Sequence, residues 1–200
     1  MKKQELDQII KRRGILSEGQ IEEQFPRRRF SPSISRDVYY GANVPVQVLS
    51  RWVMGLTTHD SPYIVISITD PGQNQSPDEQ DHAKIPQSPN LKAILPVSFY
   101  DTNIDYENEE KTYPCINDQQ AARIAKFLMQ HIVNNKQTPI VVCHCEAGIS
   151  RSSGLAAAIV KFFDDDNDGM WISNHFYPNM TVFIKVFNAL QNEYINSKKK

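Results

Sequence analysis

Two hundred residues, 40% of them hydrophobic, carry enough apolar material for a real core, so disorder along the whole chain is excluded. Lys plus Arg number 22 against 23 Asp plus Glu, and the formal charge of −1 excludes a whole-chain field that attracts nucleic acid or acidic membrane. Three Cys do not form a disulfide framework and fit a reducing compartment. The charged start MKKQELDQIIKRRG lacks the apolar run of a signal peptide, and no stretch approaches the roughly 18 apolar residues of a membrane span. A soluble, cytoplasmic protein with no membrane span and no nucleic-acid partner is expected.

Residues 1–45 hold nine Lys or Arg against six Asp or Glu and read as a basic N-terminal arm that wraps the domain formed by residues 46–200. Within the arm Leu6, Ile9 and Ile10 share a helical face suited to docking, whereas Phe25 to Pro32 is turn-rich. Val46 to Met54 alternates too poorly for an assignment, although Val48, Leu49, Trp52 and Val53 fall on one helical stripe. Tyr63–Ile68 is a β-branched run closed by Asp70-Pro71-Gly72, and so a buried strand. A polar, Pro-rich loop follows over residues 70–90, with almost nothing apolar. Lys92–Phe99 is a second strand, its Pro96 suited to an end or an edge.

Asp118 stands where an N-cap belongs, and Ala121, Ile124, Ala125, Leu128 and Ile132 repeat at helical spacing up to about Val133. Pro139–His144 is the third strand. Ser152–Phe163 is apolar around most of its circumference, as in a helix buried inside a domain. A last helix opens near Pro178-Asn179 with Val182, Phe183, Val186, Phe187, Leu190 and Tyr194 as its stripe. Strands alternating with helices predict an α/β class, with a largely parallel central sheet flanked by helices.

Between the third strand and the all-round apolar helix lies His144-Cys145-Glu146-Ala147-Gly148-Ile149-Ser150-Arg151-Ser152. A strand, a tight Gly-containing loop and a helix start bring backbone N–H groups and a positive helix end around one point, which makes an anion site. Cys145 at its base is favoured as a thiolate nucleophile by those same donors. Arg151 can fold over the loop and bind two oxygens of a tetrahedral anion side by side, so the substrate group is a phosphoryl. Thiolate attack gives a phosphocysteine, with Glu146, Ala147, Gly148, Ile149 and Ser150 lending backbone donors to the phosphate. Ser152 is suited to stabilising the sulfur as it leaves, and His144 to bracing the loop.

The signature His-Cys-x-x-Gly-x-x-Arg-Ser resembles that of the cysteine-dependent protein tyrosine and dual-specificity phosphatases, and the likeness covers about Tyr63 to Tyr194. The wording Cys-Glu-Ala-Gly-Ile-Ser-Arg-Ser and Pro178-Asn179-x-x-Val182 look most like the compact tyrosine-phosphatase-like proteins of bacteria and their phages. The resemblance implies a protein tyrosine phosphatase-like fold, chemistry without metal or cofactor, and an upstream Asp as general acid. Two candidates follow the second strand, Asp101 and Asp105, which lie 44 and 40 residues before Cys145. Asp101, directly off the strand end, is preferred; Asp105 is the reserve.

An acidic, otherwise neutral loop does not favour a highly charged polyphosphate, so a phosphorylated protein is the expected partner, with phosphotyrosine preferred by resemblance. Phosphoserine and phosphothreonine stay open as substrates. From another class stands a phosphoprotein-binding module with the same anion loop and weak catalysis, which follows if neither Asp reaches the leaving oxygen. Rhodanese-like sulfur transfer is disfavoured by the Arg-Ser and the upstream acidic loop. The pattern Asp164-x-Asp166-x-Asp168-Gly169 copies half of a calcium loop, but its twelfth position is His175, and a polar helix end capped by Gly169 is the expectation. Arg27-Arg28-Arg29 reads as solvated.

Overall fold

The computed structural model describes residues 1–16, 40–72, 85–107, 112–133, 135–165 and 175–199. The Arg27–Arg29 run, Glu109, Glu110, Asp166, Asp168 and Gly169 lie outside the described residues.

Four strands form one sheet: β1 (Val46–Ser50), β2 (Tyr63–Thr69), β3 (Leu91–Ser98) and β6 (Ile140–Cys145), in the order β1-β6-β2-β3 and parallel throughout. β6 and β2 are interior because their side chains, mostly apolar, are buried on both faces; β2 is buried at every position. β3 lies at an edge, where Pro96 withholds no needed ladder donor. A hairpin of β4 (Tyr106–Glu107) and β5 (Thr112–Tyr113) stands apart from this sheet. The α/β architecture with a parallel sheet is therefore the one expected.

The two sheet faces are covered unequally. On one face, Val46, Ile64, Ile66, Val141 and Cys143 meet α1 (Lys3–Arg13), α3 (Asp118–Ile132), α4 (Arg151–Asp164) and α5 (Met180–Lys198) in the main core. There Leu6, Ile9 and Ile10 of α1 are buried, as their shared face predicts. α4 is buried almost all round, and truncating one of its large side chains, such as Ile159→Ala, costs about 2–5 kcal/mol. On the other face the strand residues Leu49, Tyr63, Val65 and Val142 meet, among the described residues, Val53 and Met54 of the short α2 (Arg51–Met54) and Ile85.

Four expectations need correction. Val46–Met54 is a strand running straight into a one-turn helix, so its residues share no helical stripe and Trp52 faces outward. Asn117, not Asp118, caps α3, exchanging bonds with Gln120 in a capping box, each 2.9 Å. Ile85, inside the loop read as polar, is buried against the second sheet face. α4 ends on Asp165 in the left-handed region (φ 60°), well before Gly169. The Asp164 carboxylate meanwhile accepts from the N–H groups of Ala42 and Asn43, at 3.0 and 2.6 Å. Among the described residues no helix is long and apolar enough to cross a membrane.

Candidate active site

In a parallel sheet all carboxyl ends lie along one edge, and each strand here delivers a polar group to it. β6 ends on Cys145, Arg51 follows β1, Asp70 follows β2, and Asp101 comes three residues after β3.

Residues 146–150 turn from β6 into α4 pressed against the end of β1. Gly148 has φ 70°, and a Cβ there would fall 2.6 Å from the Ser50 nitrogen and 2.7 Å from the Leu49 carbonyl carbon, so the turn admits only glycine. The loop's carbonyls are drawn outward into the scaffold. Glu146 O accepts from Arg51 N–H at 3.1 Å, Ile149 O from Tyr177 N–H at 3.0 Å, and Ser150 O from Asn179 N–H at 3.1 Å. Ser153 Oγ reinforces this by donating to Ile149 O and, at 3.0 Å, to Ser150 O. In a trans peptide the N–H points opposite to the C=O, so the N–H groups of Ala147, Ser150 and Arg151 turn into the loop. Ser150 occupies the N-cap of α4 without capping it, leaving the first-turn amides and the positive helix end for an anion.

Cys145 lies at the base of this turn, 2% exposed, with its Sγ 3.1 Å from Ser152 Oγ. Cys143, two residues earlier and fully enclosed, has its thiol pushed up by burial and then by Cys145, so it stays protonated. Both are free thiols. His144 is buried in β6 between Leu49 and Ser67 of the neighbouring strands.

The buried Arg151 guanidinium gives one nitrogen, Nη1, to Asp70 Oδ1 at 2.5 Å and to the Phe99 carbonyl at 2.8 Å. These bonds orient its planar fork from the side of β2 and β3.

The two candidate acids point in different directions. Asp101 Oδ1 accepts from Ser150 Oγ at 2.8 Å and from Asn179 Nδ2 at 2.9 Å, which holds its carboxyl group on the rim of the loop. Asp105 instead accepts from Cys115 N–H at 2.9 Å, and this bond holds its carboxylate below the usual range.

Three side chains at the site carried no chemical assignment in the sequence. Asp70 read as part of a turn and Asn179 as a helix start, which each also is; Arg51 lay in the unassigned stretch. Arg51 Nη2 contacts Glu146 Oε2 at 2.7 Å, a partly exposed pair worth under about 1 kcal/mol to stability that nevertheless orients the rim. Trp52, the next residue in the chain, and Tyr177, whose N–H holds Ile149, are 74% and 54% exposed.

No model of a known protein family matches the chain, and no curated protein matches it. Among solved structures, a variant of human DUSP28 is similar at 11% identity and a TM-score of 0.44, covering 77% of this chain and 93% of that one. The human tyrosine phosphatase-like serine/threonine/tyrosine-interacting protein is similar at 17% identity and a TM-score of 0.38, covering 70% and 80%. Both likenesses are distant.

Proposed function

We propose that residues 46–200 form a protein phosphatase domain of protein tyrosine phosphatase-like fold, acting in the cytoplasm on phosphotyrosine, with phosphoserine and phosphothreonine as further substrates and without metal or cofactor. What supports this most is the Ser150–Asp101 bond, because an acid must stand beside the loop that holds the phosphate.

In the first step the Cys145 thiolate attacks phosphorus. The S–P bond forms, the P–O bond to the leaving oxygen breaks, and Asp101 passes its proton to that oxygen. Arg151 and the inward amides of Ala147, Ser150 and Arg151 meet the charge on the equatorial oxygens. In the second step water attacks phosphorus and Asp101 takes its proton. The S–P bond breaks toward Cys145, whose returning charge the Ser152 hydroxyl stabilises at 3.1 Å, and phosphate leaves.

The test is phosphate release from phosphotyrosine and phosphoserine peptides with chelator present, together with acid-quenched mass spectrometry. Chelator-resistant turnover and a phosphate adduct on Cys145 are expected, both lost in Cys145→Ser. Turnover that survives Cys145→Ser overturns the mechanism. A wild type that binds phosphopeptide and releases no phosphate overturns the enzyme and favours a phosphoprotein-binding module.

A further inference from the structure

Asn179 does three things at once. Its backbone N–H holds the Ser150 carbonyl at 3.1 Å; its side-chain Oδ1 caps α5 by accepting from Val182 N–H at 3.0 Å; and its Nδ2 donates to Asp101 Oδ1 at 2.9 Å and to Thr102 O at 3.4 Å. The cap bond settles the orientation of the amide: with oxygen turned to α5, the NH2 group faces Asp101. The residue is 5% exposed, and Gly154 of α4 lets it come this close, since a Cβ there would fall 2.5 Å from the Asn179 carbonyl oxygen.

Both donors aimed at Asp101, from Ser150 and from Asn179, converge on Oδ1. A carboxylic acid carries its proton on one oxygen, and an oxygen accepting two hydrogen bonds is the carbonyl-like one. We infer that Asn179 is a positioning residue for proton transfer: by occupying Oδ1 together with Ser150, it assigns the proton to Oδ2 of Asp101 and keeps that oxygen turned to the leaving group. This rests on the phosphatase reading above. In the first step Oδ2–H gives its proton to the leaving oxygen as the P–O bond breaks; in the second the same Oδ2 accepts a proton from water as the S–P bond breaks.

The experiment separates proton delivery from everything else by the leaving group. Phosphotyrosine leaves as a phenol that holds its proton up to about pH 10 and needs the acid, whereas an aryl phosphate with electron-withdrawing substituents leaves without one. Asn179→Ser keeps an N-cap oxygen for α5 but is too short to reach Asp101. Its kcat on phosphotyrosine peptide should fall on the order of tenfold while kcat on the electron-poor ester stays within about twofold and both KM values hold. Asn179→Thr, which also keeps an N-cap oxygen for α5 and is also too short to reach Asp101, should show the same split, so the test survives a folding failure of either variant. Adding Asn179→Ser to Asp101→Asn should leave the substrate ratio where Asp101→Asn put it.

A structural role lowers both substrates together, and an unchanged ratio in both single variants overturns the inference. With Cys145-dependent turnover intact, that result removes the inference alone. Turnover missing in the wild type, or surviving Cys145→Ser, removes the phosphatase reading and the inference with it.

Discussion

The two loops that meet at the Ser150–Asp101 bond are held in opposite ways. Residues 146–150 are fixed through their backbone: carbonyls taken by Arg51, Tyr177 and Asn179, a glycine wedged on β1, and buried anchors at Cys145 and Arg151. Residues 101–105 hang largely on single side chains, with Asp101 on Ser150 and Asn179, the Asn103 carbonyl on Thr181 Oγ1 at 2.8 Å, and Asp105 on the Cys115 amide. A loop held by its backbone presents a fixed ring of donors and tolerates little change. One held by side chains can be adjusted bond by bond, so its variants should grade in effect.

Gly148→Ala tests the rigid side most severely. A Cβ within 3 Å of the β1 backbone, at a φ that disfavours alanine, should lower stability by about 1–3 kcal/mol and remove turnover, read by thermal unfolding and phosphate release. Folding and turnover retained together would show that the loop yields. Arg151→Lys comes next. An ammonium cannot hold Asp70, Phe99 O and two phosphate oxygens in one plane, and kcat/KM should fall on the order of a hundredfold.

The rim and the looser loop should give smaller changes. Trp52→Ala removes an exposed ring on the residue after Arg51 and should raise KM for phosphotyrosine peptides about fivefold with kcat and thermal midpoint unchanged. Asp105→Asn keeps an acceptor for the Cys115 amide, so kcat at neutral pH should stay within about twofold. The sign of its pH dependence follows from a carboxylate held below its usual range: its stabilising bond is present at neutral pH and is lost as pH falls below the ordinary carboxylate range. A larger loss in Asp105→Asn than in Asp101→Asn reverses the assignment of the acid.

Long apolar runs were legible in the sequence because burial on both faces leaves an unbroken signal: Tyr63–Ile68, the strand into Cys145 and the all-round apolar α4 needed no neighbour to identify them. β1 was not, since its five residues include the buried Gln47, lack alternation, and are a strand only by pairing with Val141–Cys145 far along the chain. Ile85 escaped for a similar reason, one apolar residue in a polar stretch whose pocket is made by other segments.

The anion loop could be recognised by itself because nine consecutive residues carry both its turn and its side chains, and a strand–Gly turn–helix start aims its amides locally. Which carboxyl group faces that loop was a tertiary matter. Asp101 and Asp105 are four residues apart in one polar segment, and what distinguishes them is a hydroxyl 49 residues away, an amide 78 residues away and a backbone N–H on β5's far side. The same holds for Arg51 and Asp70. Neither has any local mark of function, and only the parallel order β1-β6-β2-β3, set by which strands can bury both faces, carries their strand ends to the edge where Cys145 stands.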